Sequence, residues 1–192
     1  LPETPEPAEL LDERVAIVGA GPGGLTAAYR LALMGYSSTI FERLPIAGGM
    51  LSVGIPEYRL PREVVEHEIS EIEGLGVDIQ TGVSVGDDVT LEELREDYDA
   101  VVLAVGGHRQ RTLGVPGEQH YGVIEGVRLL REHALGDDVD LGEHVLVIGG
   151  GDVAVDSARV SVRLTDRVTL AYRRRFEDMP ARPDEVEEAR EE

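Results

Sequence analysis

The 192-residue sequence contains no cysteine. That absence excludes disulfides, a thiol nucleophile and any iron–sulfur cluster held by cysteines of this chain. Lysine is also missing, so all 18 basic residues are arginines, set against 38 acids for a net charge of −20. Such an acid excess disfavours nucleic acid and anionic membrane surfaces as partners. It also causes self-repulsion, which high salt screens. An acidic protein of a GC-rich genome fits this balance; adaptation to a salty cytoplasm fits it better, because carboxylates keep a surface hydrated. No apolar run approaches the length of a membrane span. The opening LPETPEPAEL is acidic and proline-rich, unlike a signal peptide, which leaves the cytoplasm as the expected location.

Glycine, by contrast, is abundant, with 23 residues, and two clusters of it organise the chain. The first lies in VAIVGAGPGGLTAAYRLALMGYSSTIFER, Val15 to Arg43. Val15, Ile17 and Val18 form a short apolar run suited to a strand buried on both faces. Gly19, Gly21 and Gly24 follow in G-x-G-x-x-G spacing, with Ala20, Pro22 and Gly23 between them. In that pattern the first glycine allows a sharp turn. The second lets backbone approach a pyrophosphate, and the third lets a helix pack on the strand. A helix N-terminus there offers unpaired N–H groups and its positive dipole end to phosphates. Helix formers run from Leu25 to Met34 and stop at Gly35, and a strand from Ser38 to Phe41 ends in Glu42. Glu42 lies 23 residues after Gly19, where a carboxylate accepts hydrogen bonds from ribose hydroxyls.

The second cluster is HVLVIGGGDVAVDSARVSVRL, His144 to Leu164, again strand, glycine turn and helix. Gly149, Gly151 and Ala154 make a G-x-G-x-x-A, with Asp152 and Val153 opening the helix. The strand that follows, Val168 to Tyr172, runs into Arg173, Arg174 and Arg175 where the first unit ended in Glu42. A carboxylate at that place suits a free ribose, and arginines suit a 2′-phosphate. The first unit is therefore expected to bind FAD or NAD and the second NADP.

Between the clusters, Arg43 to Val64 reads as a long functional loop rich in glycine and proline, with little room for regular structure. Arg62 to Leu75 carries a helical apolar stripe. A strand is expected over Val77 to Val85, a short helix capped by Thr90 with Glu93, and a buried strand over Tyr98 to Val105. The GVPGE turn at Gly114 to Glu118 marks a crossover, a further helix runs from Gly126 to Leu135, and the tail is helical from Pro183. Pro2, Pro5 and Pro7 keep the first residues extended. The expected architecture is α/β with two Rossmann-like dinucleotide-binding units: a linker over 1–13, an FAD-binding unit over 14–115 and a partial NAD(P)-binding unit over 116–192. The five histidines are scattered, with neither metal-ligand spacing nor a nucleophile partner. Hydride transfer between nicotinamide and flavin needs no protein acid or base, so no catalytic residue and no metal ligand is expected.

VAIVGAGPGG, AGGMLSVGIPEYRLPREVV, VIGGGDVAVDSAR and AYRRRFEDMPA together resemble the small subunit of NADPH-dependent glutamate synthase. They are also similar to the related module of dihydropyrimidine dehydrogenase. The resemblance extends from about Glu13 onward. It implies FAD in the first unit, with Gly19 to Gly24 on the pyrophosphate and Glu42 on the adenosine ribose, followed by Arg43. It places Gly49, Met50 and Leu51 near the flavin with Arg59 close by, and Ala104, Val105 and Gly106 over the FAD. In the second unit it implies NADPH, with Gly149, Gly151, Asp152 and Val153 at the helix start and Arg173 and Arg174 on the 2′-phosphate. Electrons would pass from NADPH through FAD to an iron–sulfur partner or the large glutamate synthase subunit. The family also carries a cysteine-rich iron–sulfur region and a C-terminal segment that completes the FAD domain. Neither is present in this sequence, so a C-terminally incomplete fold, and a fragment or a truncated product, are expected. A related flavoprotein serving another acceptor such as ferredoxin, and a non-catalytic nucleotide-binding fragment, are the alternative readings.

Overall fold

Parallel strands need crossovers, and here helices supply most of them. A computed structural model describes residues 8–108 and 112–192. The extended Pro2, Pro5 and Pro7 lie outside the described residues, as do residues 109–111. One compact unit joins the described residues up to Ser52 to Glu57–Gly107; the other joins Val53–Pro56 to the described residues from His108 onward.

In the first unit, β1 (Arg14–Val18), β2 (Ser37–Glu42), β3 (Asp78–Thr81) and β4 (Ala100–Leu103) form a parallel sheet in the order β3-β2-β1-β4. Val18 pairs with Phe41 on one side and Leu103 on the other. The central strand is apolar on both faces because both faces are covered. Ile17 and Ile40 pack with Leu25 and Ala28 of α1 (Pro22–Leu33), while Ala16, Val18 and Phe41 pack with Leu94 of α4 (Leu91–Asp97). Thr90 and Glu93 make the expected capping box, and helix α3 (Arg62–Gly74) follows the predicted stripe.

Four expectations are corrected. The first helix starts at Pro22, because proline's fixed φ and missing N–H suit the first helical position. The loop after Glu42 contains a helical turn, α2 (Met50–Val53), set up by left-handed Gly48 and Gly49 and by the Ser52 hydroxyl, which donates to the Ala47 carbonyl at 2.7 Å. The Tyr98–Val105 strand is shorter than expected and not fully buried. Among the described residues β4 is a sheet edge, and Leu103 and Val105 are exposed. Likewise β3 stops at Thr81, where Gly82 turns the chain and Val83 donates to the Glu42 carbonyl.

In the second unit, β5 (Val145–Ile148) and β6 (Val168–Ala171) pair in parallel through the crossover helix α6 (Asp152–Ser161). One face of this ribbon lies toward a cluster of Val155, Ala181 and Val186, joined by Leu170. On the other face Leu146 and Ile148 are exposed. Helix α5 (Gly126–Ala134) and helix α7 (Pro183–Glu191) pack on α6. The buried Arg159 of α6 reaches Glu185, Glu188 and Glu192 at 2.6, 3.0 and 2.9 Å. No helix among the described residues is long and apolar enough to cross a membrane.

Candidate functional site

The first glycine turn is built by close backbone approach. Gly19 has φ +104°, and a Cβ there would sit 2.5 Å from the Ala104 carbonyl oxygen. At Gly24 a Cβ would sit 1.9 Å from the Gly19 carbonyl oxygen, so only glycine lets α1 start this close to β1. Gly21 is the N-cap of α1 and has no side-chain cap, which leaves the first N–H groups of the helix for another acceptor. Gly49 closes the other side: a Cβ there would lie 2.7 Å from the Gly21 Cα. A turn with bare backbone on two sides fits a bulky anion such as a pyrophosphate.

Glu42 is 6% exposed and accepts two backbone hydrogen bonds, from Ala20 N at 2.8 Å and from Leu44 N at 2.8 Å. Ala20 in turn accepts from Gly48 N at 2.8 Å. Each carboxylate oxygen has a second lone pair, so the strand-end acid can hold the turn and still accept from a ribose hydroxyl.

Of the predicted residues, Gly19 to Gly24, Glu42, Gly49 and Ala104 are thus brought together, and the Val105 Cα lies 3.4 Å from where a Gly19 Cβ would be. Met50 and Leu51 lie on α2, where the Leu51 carbonyl accepts from Arg62 Nη1 at 3.0 Å. Gly106 is left-handed and exposed, Arg43 is exposed, and Arg59 is half-buried.

The second turn is built differently. Gly151 is the N-cap of α6, and a Cβ there would meet nothing within 4 Å. Gly149 packs against Ala154, where a Cβ would come within 2.7 Å. Asp152 accepts from Arg182 N at 3.1 Å, and the Gly150 carbonyl accepts from Ala181 N at 3.0 Å. The Met179–Arg182 stretch is thereby tied to the glycine turn. Val153, Arg173 and Arg174 are exposed. Arg175 pairs with Asp178 at 3.2 Å, whereas no carboxylate among the described residues lies in ion-pair distance of Arg173 or Arg174.

Sequence reasoning missed Ser52, Gly150 and Tyr172. The signal for Tyr172 was available: counting from Gly149 by the interval between Gly19 and Glu42 ends on Tyr172, not on Arg173.

Two glycine turns, each between a parallel strand and a helix N-terminus, define an α/β protein of the dinucleotide-binding class. The chain belongs to the pyridine nucleotide-disulphide oxidoreductase family, whose model matches residues 13–192. It is 51% identical over 92% of its length to the NADP(+)-dependent formate dehydrogenase subunit beta of Moorella thermoacetica, covering 26% of that protein. It is 46% identical over its whole length to the NADPH-Fe(3+) oxidoreductase subunit beta of Geobacter sulfurreducens, covering 29% of it. To the glutamate synthase (NADPH) small chain of Halomonas elongata it is 40% identical over 94% of its length, covering 41% of that chain. Among solved structures, FprA of Mycobacterium tuberculosis in complex with NADPH matches with a TM-score of 0.78 at 27% identity. That match covers 93% of this chain and 47% of FprA. The sequence thus spans between about a quarter and a half of these relatives.

Proposed function

We propose that the first unit holds FAD and the second NADPH, in a flavoprotein oxidoreductase subunit of the glutamate synthase small-subunit type. The observation that carries this reading is the contrast between the two strand ends. The first ends in a buried carboxylate beside the glycine turn; the second runs through Tyr172 into exposed Arg173 and Arg174, which have no carboxylate partner among the described residues. A carboxylate favours a free ribose and opposes a 2′-phosphate, and guanidinium groups do the reverse. Family membership and relatives named for NADPH or NADP(+) support the same assignment.

FAD held in the first unit would supply hydride-accepting chemistry opposite NADPH and electron transfer to a further acceptor. The chain's own residues bind and orient. Gly19 to Gly24 present backbone N–H groups to the pyrophosphate, and Glu42 holds both the turn and the ribose. Gly49 to Leu51, with Arg59 and Arg43, and Ala104 to Gly106 flank the flavin end. Gly149, Gly151, Asp152 and Val153 form the second turn, and Arg173 and Arg174 hold the 2′-phosphate. No proton needs to be held or moved by a side chain.

An acceptor other than glutamate synthase has a specific observation in its favour. The relatives at 51% and 46% identity are named for formate dehydrogenase and Fe(3+) reduction rather than for glutamate synthase. The shared element is NADP(H), and an iron–sulfur or flavin partner takes the electrons in either case. The acid excess supports work in a salty cytoplasm. Extraction of the full protein with trichloroacetic acid, followed by chromatography, tests the first assignment. Stoichiometric FAD is expected; FMN, or no flavin from a protein that also takes up none, would refute it.

A further inference from the structure

The two glycine turns can be aligned by their own hydrogen bonds. Gly19 N donates to the Phe41 carbonyl at 2.8 Å, and Gly149 N donates to the Ala171 carbonyl at 3.0 Å. Strand pairing agrees, with Val18 opposite Phe41 and Ile148 opposite Ala171. The next residue along each strand is then Glu42 in one unit and Tyr172 in the other. The equivalent of Arg173 is Arg43. The arginines therefore begin one position beyond the place of the ribose-binding acid, and Tyr172 occupies that place.

The turn residues correspond in the same way, Ala20 with Gly150. Glu42 holds Ala20 through its N–H. Tyr172 meets Gly150 through its ring: a Cβ on Gly150 would lie 2.4 Å from the ring Cδ2 and 2.6 Å from Cε2. The ring is fixed at its far end, where the Tyr172 hydroxyl donates to the Asp178 carbonyl at 3.1 Å. Gly150 is fixed from the same stretch of chain, by Ala181 N on its carbonyl at 3.0 Å. Tyr172, Gly150, Asp178 and Ala181 thus form a closed circuit that joins the end of β6, the glycine turn and the chain leading into α7.

Resting on the assignment of NADPH to the second unit, we infer that Tyr172 is a specificity-determining residue there. Its ring seats on Gly150 in the place of a ribose-binding carboxylate and leaves Arg173 and Arg174 to a 2′-phosphorylated adenine dinucleotide. A carboxylate at this position would repel the 2′-phosphate and accept from a free 2′-hydroxyl. A neutral aromatic ring does neither, and its packing needs a glycine beneath it.

The test compares NADPH and NADH binding to the full chain by fluorescence titration, with folding checked by circular dichroism. Tyr172→Glu restores the acid found in the first unit. It is expected to lower the NADPH-to-NADH preference by at least about tenfold, weakening NADPH and tightening NADH. Tyr172→Phe keeps the ring and adds no charge, so its preference should stay within about fivefold of the parent. Should Tyr172→Glu not fold, Tyr172→Gln offers a ribose acceptor without charge and should also lower the preference. An unchanged preference in whichever of these variants folds, together with a lowered one in Arg173→Gln, would overturn the role of Tyr172 and leave the NADPH assignment standing. A parent chain that prefers NADH or binds neither nucleotide would overturn the assignment and the inference with it.

Discussion

The Glu42 carboxylate accepts a hydrogen bond from Ala20 N at 2.8 Å, so the last residue of β2 holds the middle of the first glycine turn. Its other oxygen accepts from Leu44 N, which fixes the start of the following loop. A single buried side chain thereby sets the distance between the turn and the loop that lines it.

Replacing Glu42 with alanine leaves two backbone N–H groups without their acceptor. Hydrogen bonds to charged groups contribute about 1.5–3 kcal/mol each, so Glu42→Ala should destabilise the first unit by at least about 2 kcal/mol. Glu42→Gln keeps one acceptor oxygen and should lose less. Chemical denaturation of the three proteins orders them, and equal midpoints would show that the carboxylate does not hold the turn.

The glycines of the first turn differ sharply from glycine elsewhere. A Cβ at Gly24 would lie 1.9 Å from backbone, whereas at Gly74, the last residue of α3, it would meet nothing within 4 Å. Gly24→Ala should abolish flavin uptake or folding, because backbone cannot yield that far. Gly74→Ala should raise stability by up to about 1 kcal/mol, since alanine is the better helix former. A tolerated Gly24→Ala, judged by flavin content and thermal midpoint, would contradict the close strand–helix approach.

Gly150 and Tyr172 should be energetically coupled. Gly150→Ala drives a methyl group into the ring and should weaken NADPH binding. Adding Tyr172→Ala removes the clash, so the double variant should bind better than Gly150→Ala alone. A coupling of about 1 kcal/mol or more is expected, as for residues in direct contact. Additive effects would mean that the ring does not rest on Gly150.

Helix α7 is held to α6 by charge, which makes it sensitive to acid. Hydrogen bonds from Arg159, then from Arg163, pull the Glu192 carboxyl down from its ordinary 4.5 to about 2. A carboxyl depressed on folding contributes its full stabilisation above pH 4.5 and loses it as the pH falls toward 2. Attachment of α7 should therefore weaken across that window, read as falling amide-exchange protection, relative to the intrinsic rate at each pH, in Pro183–Glu191. Arg159→Ala removes the guanidinium that pairs with the buried Glu185 and should cost about 3–5 kcal/mol at neutral pH. Protection in α7 that is flat across the window and unaltered by Arg159→Ala would contradict the clamp.

Local sequence made much of this architecture legible. The glycine spacing, the apolar runs before it and the helix formers after it each act within a few residues. They located β1, α1, β5 and α6, with α1 beginning three residues early because Pro22 opens it. The capping box at Thr90 is equally local. What stayed hidden depends on residues distant in sequence. The α2 turn needs Gly49 against Gly21, a contact the loop's glycine content does not reveal. The exposure of Leu103 follows from where β4 falls in the sheet. The place of Tyr172, just before the arginine run, is fixed by strand register rather than by its own chemistry.

The most direct measurement is anaerobic stopped-flow absorbance of the full protein, loaded with FAD and mixed with NADPH or with NADH. The two-site account predicts that a bound flavin band near 450 nm bleaches, and that NADPH bleaches it at least about tenfold faster than NADH at equal subsaturating concentration. A protein that takes up no FAD, or one whose flavin is reduced faster by NADH, would contradict it.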